Sequence, residues 1–164
     1  MFKYSLLNWI ARLYNFFIKT GNNLQSLFIF YMRATWGYQF FILGLAKLGS
    51  IDHVAQMFSS LAIPAPTLTA HLVAILEALC GFLLFIGLGA RIAAVPLIII
   101  MLIALATAHG TNLSGMKFLF EPQSLVKEAP YPFLLTSLIV FIFGPGEISI
   151  DAWIKRWAEN QPKY

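Results

Sequence analysis

The sequence predicts an all-α integral membrane protein, a four-helix bundle with amphipathic surface helices at both ends. Three observations predict it. Apolar residues make up 59% of the 164 residues and charged residues only 11%. A soluble domain carries roughly 25% charge, so this chain cannot cover a water-facing surface. Four apolar runs lie between polar or Pro/Gly-containing segments, at or near the roughly 20 residues of a bilayer crossing. Both ends mix basic and apolar residues at spacings of three and four, the pattern of a helix with one apolar face. The predicted division is an interfacial helix over 1–25, a four-span domain over 26–152 and an interfacial tail over 153–164.

The first twenty residues read MFKYSLLNWIARLYNFFIKT. Ser5, Asn8, Arg12, Asn15 and Lys19 form a narrow polar stripe, and Leu6, Trp9, Leu13, Phe16 and Phe17 fill the other side. Such a helix lies on a membrane, with its cations near anionic headgroups, or docks a partner. Arg12 interrupts any signal-peptide core and no small-residue cleavage site follows, so the segment is expected to remain in the mature chain. GNNLQ, residues 21–25, carries turn formers and is expected to break the helix.

The first span is predicted over 27–48. The loop 49–69 has Val54, Met57, Phe58 and Leu61 at helical spacing, which predicts a short interfacial helix ended by Pro64 and Pro66. The second span covers 70–88. A GLGAR turn leads to the third, 92–108, with Pro96 one turn inside, where proline is tolerated. A second long loop, 109–130, precedes a short fourth span, 131–143, which borrows length from its flanks or thins the bilayer. After GPGE, Ile150, Trp153, Ile154 and Trp157 mark another surface helix, with Lys155 and Arg156 at its edge.

Four spans put both termini on one side. That side carries Lys3, Arg12, Lys19, Arg91, Lys155, Arg156 and Lys163, seven cations against Lys47, Lys117 and Lys127 on the other. The excess predicts cytoplasmic termini in a bacterial inner membrane. The net charge of +4 is small and spread along the chain. It forms no basic patch with aromatic platforms, which argues against nucleic acid. The lone cysteine, Cys80, excludes an internal disulfide and a CxxC pair. No Walker, GxGxxG or serine-elbow motif is present, and three scattered histidines make no metal motif.

Polar groups inside spans identify the candidate site, because they are costly in lipid and face the bundle interior. Glu77 sits in HLVAILEALCGFLLFIGLGAR with Ala74, Ala78 and Gly81 within one turn. Arg33, Gly37, Phe40, Gly44 and Lys47 share one face of the first span, and small residues there let helices approach closely. On the third span Arg91, Ile98, Leu102, Leu105 and His109 align in one stripe, with Arg91 and His109 at its opposite ends. Counted from the outer ends, Arg33 lies roughly 22 Å deep and Glu77 roughly 10 Å. Lys47 is therefore the expected charge partner of Glu77, with Tyr38 or Gln39 as hydrogen-bond partners. Arg33 and Arg91 are expected to snorkel to the cytoplasmic interface. Glu77, Lys47 and His109 are the candidate catalytic groups; Tyr38, Gln39, His71 and Arg33 are candidate binding residues. Glu77 either moves protons or holds helices in register.

RATWGYQFFILGLAKL from Arg33, the helix of Glu77 with its GFLLFIGLGAR tail, and GPGEISID over 144–151 resemble the DoxX family, in order and spacing, from about Leu27 to Ala152. The resemblance implies a four-helix membrane protein. The family's name comes from the small subunit of a thiosulfate:quinone oxidoreductase, and other members are linked to membrane oxidoreductase complexes and oxidative-stress responses. It therefore implies an accessory subunit of a quinone-linked oxidoreductase, partnered by the bilayer and by a soluble or membrane oxidoreductase. A homo-oligomer is equally compatible. With no intrinsic cofactor motif, a bound quinone or the partner must carry electrons. The alternatives are a non-enzymatic scaffold that recruits a partner and a small-molecule or metal-ion carrier using His71 and His109.

Overall fold

The computed structural model describes residues 2–108 and 126–161, and side chains from residue 9. The described residues form six helices: α1 (Phe2–Gly49), α2 (Ile51–Ser60), α3 (Pro66–Ile86), α4 (Ala90–Ala108), α5 (Pro130–Phe143) and α6 (Ile150–Glu159). No strand occurs among them. Each long helix packs on the next: α1 on α3, α3 on α4, α4 on α5, and α5 back on α1. The short α2 lies against α3. Two helices, α3 and α4, are long and apolar enough to cross a membrane. At about 1.5 Å rise per residue the 21 residues of α3 span about 31 Å, the thickness of a hydrocarbon core.

The α1–α3 pair is the tightest, and glycine makes it so. A Cβ on Gly44 would collide with the backbone of Ala78, and one on Gly81 would lie 2.6 Å from Phe40 Cβ and Phe41 N. The two backbones thus touch where any larger residue would push them apart, the small-residue mode of packing in membranes. The buried core continues through Phe40, Leu84, Leu97, Met101 and Val140.

Two expectations are corrected. GNNLQ does not break the first helix: α1 runs unbroken for 48 residues. One glycine and two asparagines cost only about 1 kcal/mol or less each, too little to interrupt a long helix that contains no proline. Pro66 does not help end the loop helix; it starts α3 in the first turn, where its missing N–H costs nothing. On α4 the buried stripe is Ala90, Ala93, Ala94, Leu97, Met101 and Leu105, whereas Arg91 and Leu102 are exposed. Alanines bring α4 closer than the bulkier Ile98 and Leu102 would. The loop helix is present as α2, with Val54 buried. The predicted second long loop falls mostly outside the described residues.

Candidate functional site

Lys47 closes the inward face of α1, one turn past Gly44. Glu77 lies on α3 beside Ala78, the residue against which Gly44 packs. The close crossing therefore delivers the Lys47 ammonium to the Glu77 carboxylate, and Lys47 Nζ donates to Glu77 Oε2. The Glu77 side chain is 3% exposed and that of Lys47 is 30% exposed. An isolated carboxylate in such a place would carry a large desolvation cost, which a direct ion pair offsets. The pair is thus sealed on the Glu77 side and open on the Lys47 side.

It forms part of the wall of a cavity of about 600 Å³. The other walls are largely apolar and come from five helices and the α2–α3 connection: Phe40, Phe58, Leu61, Met101, Pro130 and Phe133 define its shape. Phe40 and Phe133 meet edge to face with centroids 4.7 Å apart, and Trp36 also meets Phe133 edge to face, at 4.8 Å. Lys47 and Glu77 are the only charged side chains on this wall among the described residues. An apolar slot with one cationic donor and one carboxylate suits a flat, largely apolar molecule with a polar oxygen at one end.

The other predicted residues are placed elsewhere. Tyr38 is 49% exposed and its ring lies against Phe85 at 5.9 Å; Gln39 is exposed. Neither lines the cavity, so the expected hydrogen bonds to Glu77 are replaced by the Lys47 contact. Both also lie at another level: Gly37 packs against Phe85 and Gly44 against Ala78, so Tyr38 and Gln39 sit about two helical turns from Glu77 and point about 100° and 200° round the helix from Gly37. His71 is exposed and its Nδ1 is bonded to the Thr67 carbonyl at 2.8 Å. His53 is exposed, and His109 lies outside the described residues. Among the described residues no group of three or more His, Cys, Asp or Glu is placed to hold a metal.

Arg33 does not snorkel. It is 1% exposed and donates through Nη1 to the carbonyls of Leu84 at 2.9 Å and Phe85 at 2.5 Å. Its Nη2 donates to Ile148 O at 2.6 Å, and its guanidinium sits 5.5 Å over the Phe30 ring. Arg33 therefore caps the C-terminus of α3, whose last carbonyls lack helical partners. Gly87 follows in the left-handed region, φ +73°, with Arg33 Nη1 only 2.6 Å from where its Cβ would stand. Arg91, by contrast, is exposed as expected.

Sequence reasoning missed the partner of this cap. The Asp151 carboxylate accepts from Gly89 N at 2.7 Å and Ala90 N at 3.1 Å, capping the N-terminus of α4 from a distant segment. Asp151 N returns a bond to Gly87 O at 3.0 Å, and Ser149 Oγ accepts from Ala152 N to cap α6. The available signals were the Gly-Leu-Gly helix stop and the Ser-Ile-Asp start. They mark ends of helices but not which ends meet.

Comparison with known proteins identifies the family. The DoxX family profile matches residues 28–110, from the packed part of α1 through α4; it stops short of the 144–151 segment that the resemblance was expected to include. "Uncharacterized membrane protein Rv3486" of Mycobacterium tuberculosis is 30% identical over 132 residues, 77% of this chain and 81% of its own length. "Putative oxidoreductase CatD" of Bacillus subtilis is 27% identical over 129 residues, 79% of this chain and 88% of its own. No solved structure matches the chain. With half its length under the family profile and a membrane protein among its relatives, the chain belongs to the DoxX family of membrane proteins.

Proposed function

We propose that this chain is the membrane-embedded accessory subunit of a quinone-linked oxidoreductase, crossing a bacterial inner membrane four times with both termini in the cytoplasm. The observation that carries the reading is the apolar cavity with its lone charged pair, Lys47–Glu77. The name of the Bacillus relative points to redox chemistry. The closed ring of α1, α3, α4 and α5 supports four crossings, and the cation excess on one side supports the orientation. Backbone carbonyls accept from the buried Arg33 guanidinium, which lowers the cost of its charge inside the helix pack.

The residues fit a quinone head. Phe40 and Phe133 offer flat apolar surface, and Lys47 offers a charge-assisted donor to a carbonyl oxygen. A quinone, as substrate, takes up two electrons and two protons. The electrons come from the partner oxidoreductase. Glu77, the carboxylate paired with Lys47, takes a proton from the ammonium and passes it to that oxygen. Lys47, in contact with water on its open side, returns one from the aqueous phase.

The test is purification from native membranes into nanodiscs, quinone extraction, and titration with a short-chain quinone followed by quenching of Trp36. The expected result is retained quinone and saturable quenching, weakened about tenfold or more in Lys47→Met, as loss of a charged hydrogen bond implies. No retained quinone and no quenching, with Glu77→Gln fully active in cells, would sink the reading.

A second reading, a scaffold that recruits a partner, is favoured by one observation. α1 continues beyond its packed part, and Trp9, Tyr14, Phe16 and Phe17 there are all exposed. Deleting residues 1–20 would then abolish complex formation and leave insertion intact.

A further inference from the structure

At the end of the molecule opposite Lys47–Glu77 lies a second concavity, of about 700 Å³. Its character is the reverse of the first. Asn22, Gln25 and Ser26 of α1 form one side, Arg91 another, and Lys155 and Arg156 of α6 the third. We propose that this groove binds the phosphate headgroup of an anionic phospholipid, at the leaflet that faces the termini.

The charge state of the groove supports an anion. Three of its lining residues are acids, but the Asp151 carboxylate is consumed by the N–H groups of Gly89 and Ala90. Glu159 sits 3.8 Å from Lys155 with both side chains largely in solvent, a contact of little strength. Glu147 lies on the rim, and its backbone is fixed through N–H to Ser26 Oγ and carbonyl to Arg156 Nη2. The cations are better placed. Arg156 is held by two backbone carbonyls, Glu147 at 2.6 Å and Ala152 at 3.3 Å, so its guanidinium is oriented before any ligand arrives. Arg91 makes one marginal bond, Nη2 to Ile142 O at 3.4 Å. The remaining N–H groups of its planar fork suit two phosphate oxygens.

The surroundings favour a lipid over free phosphate. Ile142 and Phe143, at the end of α5, are exposed beside the groove, and so are Trp153 and Trp157 on α6. Tryptophan beside cations marks the headgroup level of a bilayer, and an apolar helix end there gives acyl chains a surface to follow. Basic pockets between membrane helices at a cytoplasmic face bind anionic headgroups by this combination of charge and adjoining apolar surface.

The experiment uses the full chain in nanodiscs of phosphatidylcholine with increasing phosphatidylglycerol, read by native mass spectrometry of retained lipid and by thermal unfolding. The expected result is selective retention of phosphatidylglycerol and a higher Tm. The preference should fall about fivefold for each of Arg91→Gln and Arg156→Gln. Lys155→Gln, at an exposed site, keeps the test valid where an arginine variant fails to fold, and should lower the preference in the same direction. Equal retention of the two lipids, or a preference unchanged in every variant that folds, overturns the proposal. A Tm rise reproduced by inorganic phosphate alone in phosphatidylcholine discs would assign the groove to a soluble phosphate and overturn the lipid assignment. None of these readings depends on the Lys47–Glu77 cavity.

Discussion

Lys47 and Glu77 differ in what each loses when its partner is removed. Glu77 is nearly sealed, so Lys47→Met strands a buried carboxylate, a change that costs about 3–5 kcal/mol. Lys47 is partly open to water, so Glu77→Gln lets the ammonium turn outward and costs less, about 1–2 kcal/mol. The expected order in thermal unfolding is therefore wild type, Glu77→Gln, then Lys47→Met, with the double variant Lys47→Met/Glu77→Leu recovering most of the loss. A Lys47→Met variant no less stable than Glu77→Gln would mean that the pair is solvated on both sides. This contact was legible in the sequence because both residues fall on small-residue faces and a lysine near the outer end can extend inward. Tyr38 and Gln39 were misjudged because rise counted from span ends does not fix the level at which two helices cross, and Tyr38 packs on Phe85, about two turns from Glu77; nor does it give azimuth, which turns by about 100° per residue. The role of Arg33 was not legible at all: its acceptors are carbonyls of residues 84, 85 and 148, and a carbonyl has no signature in a sequence.

Helices were legible where a polar or small-residue pattern broke the apolar background, and illegible where it did not. The inward faces of α1 and α3 follow from Gly37, Gly44, Ala74, Ala78 and Gly81, all buried. On α4 nearly every side chain is apolar, so periodicity carries little signal. The stripe that ends in Arg91 and His109 is not the buried one, which runs through Ala90, Ala93, Ala94 and Leu97. The continuity of α1 was missed because the turn tendency of Gly21, Asn22 and Asn23 is a weak local preference. Two glycine substitutions separate these effects. Gly21 has open space around its Cβ position, so Gly21→Ala should raise helicity and stability by about 0.5–1 kcal/mol if the helix is continuous there. A turn at 21–25 would instead leave circular dichroism unchanged. Gly44→Ala meets the backbone of Ala78 and must push α1 from α3. It should cost about 1–3 kcal/mol and weaken quinone quenching, because Lys47 moves away from Glu77.

At the scale of the whole molecule, the two ends are built differently, and one residue shows how the far end is held. Asp151 ties α6 to the α3–α4 turn through Gly87, Gly89 and Ala90. Arg33 ties α1 to the same turn and to Ile148. Four helices thus converge on a knot of charged groups and backbone ends, and no apolar contact could replace it, since the N–H and carbonyl groups there need partners. Asp151→Ala removes both acceptors from the start of α4 and should cost about 1–2 kcal/mol, as loss of a helix cap does. Asp151→Asn keeps one acceptor oxygen and turns an N–H toward the other donor, so it should fall between wild type and alanine. The loss should be local. α6 buries no side chain, so once Asp151 lets go, little else holds it, and it should open before the bundle does. Limited trypsin digestion after Lys155 and Arg156 should then quicken several-fold, while short-chain quinone binding at the Lys47–Glu77 end stays unchanged. Equal slowing or quickening of every cleavage site, with a parallel loss of quinone binding, would show instead that the two ends unfold as one unit.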